Sequence, residues 1–67
     1  MDSWIDRLIN EKRELADKIE KLSQFIFSNK SFTELTQFEQ LLLEVQLQAM
    51  RRYLHYLERR IAFYVKG

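Results

Sequence analysis

Apolar residues recur along the second half of this chain at alternating steps of four and three. Leu43, Leu47, Met50, Leu54, Leu57, Ile61 and Tyr64 follow that rule, the spacing of one face of an α-helix. A second series runs beside it: Leu35, Phe38, Leu42, Val45, Ala49, Tyr53, Tyr56 and Phe63. No Gly or Pro interrupts the stretch from Leu35 to Val65. Two neighbouring stripes on one helix are more than one partner helix covers. The first half carries one clear stripe, Ile5, Leu8, Lys12, Leu15, Ile19, Leu22 and Ile26, a seven-residue repeat with a polar break at Lys12.

The polar positions punctuate this pattern. Asp2 or Ser3 can cap the first helix, and Asp6 lies three residues after Ser3, an Asp variant of the capping box. Glu14 with Lys18 and Asp17 with Lys21 are i,i+4 pairs in the favourable order. Ser28-Asn29-Lys30-Ser31 has no periodicity and reads as the turn. Ser31 and Glu34 can bracket one helical turn that carries Phe32 and Leu35 inward. Thr36 and Glu39 form a second candidate capping box just before the long apolar run. Gly67 suits a helix stop.

These signals predict an all-α fold, an antiparallel two-helix hairpin with a short helical turn between. Helix 1 spans about residues 3–27, the turn 28–36, and helix 2 about 37–66, within a single domain of residues 1–67. The roughly 30 residues of helix 2 would span about 45 Å. A short connection between two long helices makes them antiparallel neighbours. The hairpin matches one stripe against one, and the unmatched stripe predicts assembly into a helical-bundle homo-oligomer. Trp4, Ile9, Phe25 and Phe27 fall off the helix 1 stripe and point to a second interface as well.

Composition narrows the function classes. A chain of 67 residues struggles to fill a core alone. Without Cys it has neither disulfides nor thiolate metal sites, which leaves self-association. Eleven basic against ten acidic residues is too balanced for a general nucleic-acid binder, so DNA is not an expected partner. No apolar run approaches the roughly 18 residues of a membrane span, and the N-terminus has no secretory pattern. An intracellular, cytoplasmic protein fits the absence of Cys.

No catalytic constellation is visible, and neither a metal nor a cofactor is expected. Gly67 is the one glycine, so there is no phosphate-cradling loop. The single histidine, His55, has no carboxylate four residues away, and Glu58 three residues on is a common surface arrangement. Binding is the better candidate. Arg51, Arg52, Arg59, Arg60 and Lys66 crowd the last third of helix 2, and Arg52, Arg59 and Lys66 repeat every seven. Tyr53, Tyr56 and Phe63 lie near that edge. Guanidinium forks beside aromatic faces suit phosphates and nucleobases together; a solvated rim facing acidic residues of a neighbour is the alternative. Trp4, beside Arg7, can stack on a ring or staple the helix interface. Lys18 and Lys21 can meet an anion or solvate the helix flanks. Lys12 can snorkel, set register or meet an anion. Gln46 can read a base edge or bond across to the other helix.

The run Glu11-Lys12-Arg13-Glu14-Leu15-Ala16-Asp17-Lys18-Ile19-Glu20-Lys21-Leu22, then Phe25-Ile26, Phe32, Leu35, Glu39-Gln40, Leu42-Leu43, Gln46, Met50, Tyr53, Leu57 and Arg60-Ile61, resembles small helical bacteriophage proteins related to the anti-CBASS sponges. The likeness runs from Arg7 to Phe63. It implies a compact helical homo-oligomer, typically a hexamer, acting in the cytoplasm of an infected bacterium. Such a protein sequesters cyclic di- or trinucleotide immune signals and breaks no bond. It further implies a pocket with a Lys on the first long helix, here Lys18, and an aromatic near the N-terminus, here Trp4, where relatives that bind have Tyr. With the basic edge, the candidate ligand-binding set is Trp4, Arg7, Lys18, Arg52, Tyr53 and Arg59. Two other classes stay open: a hairpin module that binds a host protein, motivated by the two stripes, and an RNA-binding helical bundle, motivated by the Arg52–Arg59–Lys66 edge.

Overall fold

The computed structural model of the chain describes residues 3–66; the possible cap at Asp2, the stop at Gly67 and the side chain of Lys66 lie outside what it describes. Three helices follow in order: α1 (Trp4–Ser28), α2 (Lys30–Thr33) and α3 (Gln37–Lys66). Local polar residues set where each begins. The Asp6 N–H donates to Ser3 Oγ and the Ser3 N–H to the Asp6 carboxylate, both at 3.2 Å, so two N–H groups that lack helical partners are satisfied reciprocally. Thr36 and Glu39 do the same for α3, at 3.1 and 3.2 Å. The turn differs from the sequence expectation in one respect. Asn29, not Ser31, caps α2, because its side-chain oxygen reaches the Ser31 N–H at 2.8 Å. Phe32 is buried and Leu35 half-buried, so this turn folds its two apolar side chains inward.

The α3 capping box makes a testable contribution. Hydrogen bonds from the Thr36 N–H and then from its hydroxyl hold the Glu39 carboxyl below the usual carboxylate range. A lowered folded-state pKa means stability that is present above the usual range and lost as pH falls through the lowered value. Glu39→Gln, whose amide does not titrate, is therefore expected to lower the melting temperature at neutral pH and to leave a flatter acid limb below pH 5. Thermal melts across an acid series would read both effects; parallel acid limbs in the two proteins would contradict the assignment.

α1 and α3 lie antiparallel. Trp4 at the start of α1 packs edge-on against Tyr64 near the end of α3, with ring centroids 4.4 Å apart. The core between them is the pair of stripes read above. Leu8, Leu47 and Leu57 are buried, and Ile5, Leu15, Ile19, Leu22, Ile26, Leu43, Met50, Leu54 and Ile61 are half-buried. Lys12 is half-buried within the stripe, the degree of burial a snorkelling lysine takes. Tyr64 departs from its stripe and is 46% exposed. Phe25 is half-buried and meets Phe32 edge-on at 6.1 Å, so it closes the base of the hairpin and is not free for a second interface. Gln40 stitches the same end, donating to the Phe32 and Leu35 carbonyls at 2.9 and 3.3 Å. Of the two i,i+4 pairs expected on α1, Asp17–Lys21 forms at 3.0 Å. Glu14 instead accepts from the Asn10 amide at 3.3 Å, and among the described residues Lys18 has no carboxylate within 4 Å.

The molecule is a rod of 47 × 19 × 14 Å with a radius of gyration of 15.1 Å. A compact chain of this length would have a radius near 11 Å. The rod shape leaves the core thin, and the second stripe of α3 shows the consequence. Phe38, Leu42, Val45, Tyr53, Tyr56 and Phe63 are all exposed, Phe38 by 67% and Phe63 by 75%. Leu35, placed in that stripe by its spacing, is drawn into the turn.

Candidate functional site

The C-terminal third of α3 and the N-terminus of α1 meet at one end of the rod. There Tyr56, Arg59, Arg60, Phe63 and Tyr64 line an open groove on the outer side of α3. Helical spacing places them together: positions 56, 59, 60 and 63 are neighbours at steps of three and four. Phe63 and Tyr64 meet edge-on at 5.2 Å, and the other face of this aromatic pair reaches Trp4. The groove is thus floored by rings and edged by two guanidinium groups. That combination recognises flat rings by stacking and phosphate oxygens by paired donors.

The six candidate binding residues do not converge in one copy of the chain. Arg59 lines the groove, and Trp4 adjoins it through Tyr64. Trp4 is held as a staple between the helices while 48% exposed, which leaves ring surface open. Arg52 is exposed one heptad before Arg59, about 10 Å along the same ridge. Tyr53 is turned toward α1, where its hydroxyl donates to the Glu11 carboxylate. That bond, with partial burial and the nearby Glu11 charge, raises its pKa against a smaller opposing effect of Arg60. Arg7 lines a separate shallow groove with Asp6, Ile9, Asn10 and Arg13. Lys18 is exposed 14 residues from Trp4 along α1, about 21 Å away, too far for one small ring to touch both in one copy.

Of the groove residues only Arg59 is among the six candidates; the sequence sets Tyr56, Arg60 and Phe63 on the basic and aromatic edge without selecting them, and Tyr64 is missed. Arg60 had a signal, its place at i+4 from Tyr56. Tyr64 had been assigned to the core by its spacing. Gln46 makes no bond to α1; its amide lies 3.9 Å from the Met50 sulfur. His55 stacks edge-on with Tyr56 at 5.6 Å. Among the described residues no group of His, Asp or Glu is placed to hold a metal ion, and no helix is long and apolar enough to cross a membrane.

No curated protein and no solved structure matches the chain. Residues 2–63 match the Sequestin family, whose name describes sequestration. With nearly its whole length inside that match, the chain belongs to the Sequestin family.

Proposed function

We propose that this chain is a phage anti-defence sponge, sequestering cyclic oligonucleotide immune signals in the infected bacterial cytoplasm without cleaving them. The groove of Tyr56, Arg59, Arg60, Phe63 and Tyr64 is the observation that carries this reading. A cyclic dinucleotide or trinucleotide offers phosphates to the two guanidinium groups and bases to the rings. Sequestration needs only tight binding and enough protein, so it makes no demand for a nucleophile or a base. Family membership supports the sequestering part of the reading, and the resemblance to anti-CBASS sponges supports the nucleotide.

In this reading Trp4 and Arg59 bind at the groove, and Arg52 extends its positive ridge. Tyr53, Lys18 and Arg7 join the site from the α1 side, with Lys18 reaching the ligand from a second copy. The chain works as a homo-oligomer, a hexamer by the resemblance. Calorimetric titration with a panel of cyclic di- and trinucleotides tests the proposal. Heat at a defined stoichiometry, with a rise in melting temperature, is expected for at least one of them. No heat and no thermal shift with any would remove it. The exposed apolar half of α3 favours a second reading, a hairpin module that docks on a host protein. A single stoichiometric protein partner together with a silent nucleotide panel would put that reading first.

A further inference from the structure

Two contacts cross from α1 to α3 on the same side of the hairpin. Trp4 packs edge-on against Tyr64, and the Tyr53 hydroxyl donates to the Glu11 carboxylate. Trp4 and Glu11 are seven residues apart on α1, so they share one face. On α3, Tyr53 comes seven residues before Arg60, and Arg60 four before Tyr64. Arg60 therefore stands between the two contacts, about 10 Å along the helix from Tyr53 and about 6 Å from Tyr64. Arg60 and Tyr64 line the groove assigned to the ligand. The Arg60 charge is also felt at Tyr53, where it opposes the rise in pKa that the Glu11 bond causes. The Glu11–Tyr53 pair is thus the next polar feature beyond the groove, on the side that faces α1.

A carboxylate in this place works against phosphate binding, since it lowers the positive potential that Arg59 and Arg60 create. As a bridge between the helices it adds little, because both of its side chains are exposed, Tyr53 by 46%. What an ionised carboxylate does well is accept. It carries no donor, and its two oxygens offer about four lone-pair sites. The Tyr53 hydroxyl occupies one of these and fixes how the group is turned. The others stay open, because Glu11 is exposed.

We infer that Glu11, oriented by Tyr53, is the specificity-determining residue of the site and selects rings that carry guanine. The inference rests on the cyclic-nucleotide reading above and narrows it to one base. Guanine sets two donors side by side on its pairing edge, N1–H and the N2 amino group. They face the two oxygens of a carboxylate as the paired N–H groups of an arginine fork do. Adenine sets its N6 donor beside the bare N1 acceptor, so one carboxylate oxygen would meet a lone pair. Uracil flanks its single N3–H with two carbonyl oxygens and meets the same conflict. With a phosphate on Arg60, the neighbouring base of the ring extends toward Glu11. A bidentate pair of this kind discriminates against a wrong base by about tenfold to a hundredfold.

Calorimetric titration of the full chain with cyclic dinucleotides bearing two guanines, two adenines or two uracils tests this. The wild type is expected to bind the guanine ring at least about tenfold tighter than either of the others. Glu11→Gln should erase that preference, because an amide offers one acceptor and one donor and suits adenine as well as guanine. Tyr53→Phe removes the same bond between the helices but keeps the carboxylate, and should still prefer guanine. A purely structural bridge would make the two variants behave alike, so the ratio of affinities separates the roles. Equal wild-type affinity for guanine and adenine rings, or a guanine preference that survives Glu11→Gln, would overturn the inference and leave the sponge reading standing. Silence of the wild type toward every ring would remove both.

Discussion

Leu57→Ala is expected to remove roughly half of the chain's stability. Leu57 is fully buried, and truncating such a leucine costs about 2–5 kcal/mol through lost transfer energy and the cavity left behind. A chain of this size has a total stability of only about 3–10 kcal/mol. The core has little else to fall back on: among the described residues the other buried apolar side chains are Leu8, Phe32 and Leu47. Urea denaturation followed by circular dichroism would read the loss as a lower midpoint. Leu42→Ala is the informative control. Its side chain is 52% exposed in the single chain, so it should cost little at high dilution and show its effect only at concentrations where copies associate. A Leu57→Ala midpoint close to wild type would mean that the α1–α3 contact does not carry the fold.

Removing the paired guanidinium groups at the end of α3 is expected to have the largest effect on binding. Arg59→Ala with Arg60→Ala should weaken affinity for any cyclic nucleotide the chain binds by about a hundredfold, two charge-assisted hydrogen bonds to phosphate being lost. Both side chains are exposed and stand on a helix they do not stabilise by burial, so the melting temperature without ligand should change little. Arg59→Lys should recover only part of the affinity, since an ammonium keeps the charge but not the planar fork. Calorimetry on the three variants separates these outcomes. Undiminished binding by the double alanine variant would move the site away from the groove, toward the Arg7 and Lys18 flank of α1.

The hairpin was readable because its causes are local. Thr36-x-x-Glu39 declares a helix start, and the two stripes declare which faces meet, down to Lys12 taking a half-buried place in the seam. What escaped the sequence depends on which residues the folded hairpin brings side by side. The Tyr53–Glu11 bond joins residues 42 positions apart and has no local signature. Gln40 reaching two turn carbonyls depends on where α2 directs the chain. Glu14 had two candidate partners, and Asn10 took it from Lys18. Phe25 looked surplus until Phe32 folded onto it.

The candidate site was legible in part. The crowding of arginines and rings on late α3 was visible in the sequence, and the groove is built from that crowd. The spacing did not reveal that Tyr64 leaves the core to join it. Nor did it reveal that Lys18 and Trp4 stand too far apart to serve one ligand in one copy. Both follow from a rod that is long, straight and only two helices thick.

The sponge reading turns on whether copies of this chain assemble while the groove of Tyr56, Arg59, Arg60, Phe63 and Tyr64 stays open to a ligand. Sedimentation equilibrium of the wild-type chain at micromolar concentration answers that directly, with and without cyclic nucleotides. The expected result is a mass that is a multiple of 8.2 kDa before any ligand is added, and co-sedimentation of at least one cyclic nucleotide with that assembly. A homogeneous 8.2 kDa species at every concentration, with the nucleotide left free, would contradict it.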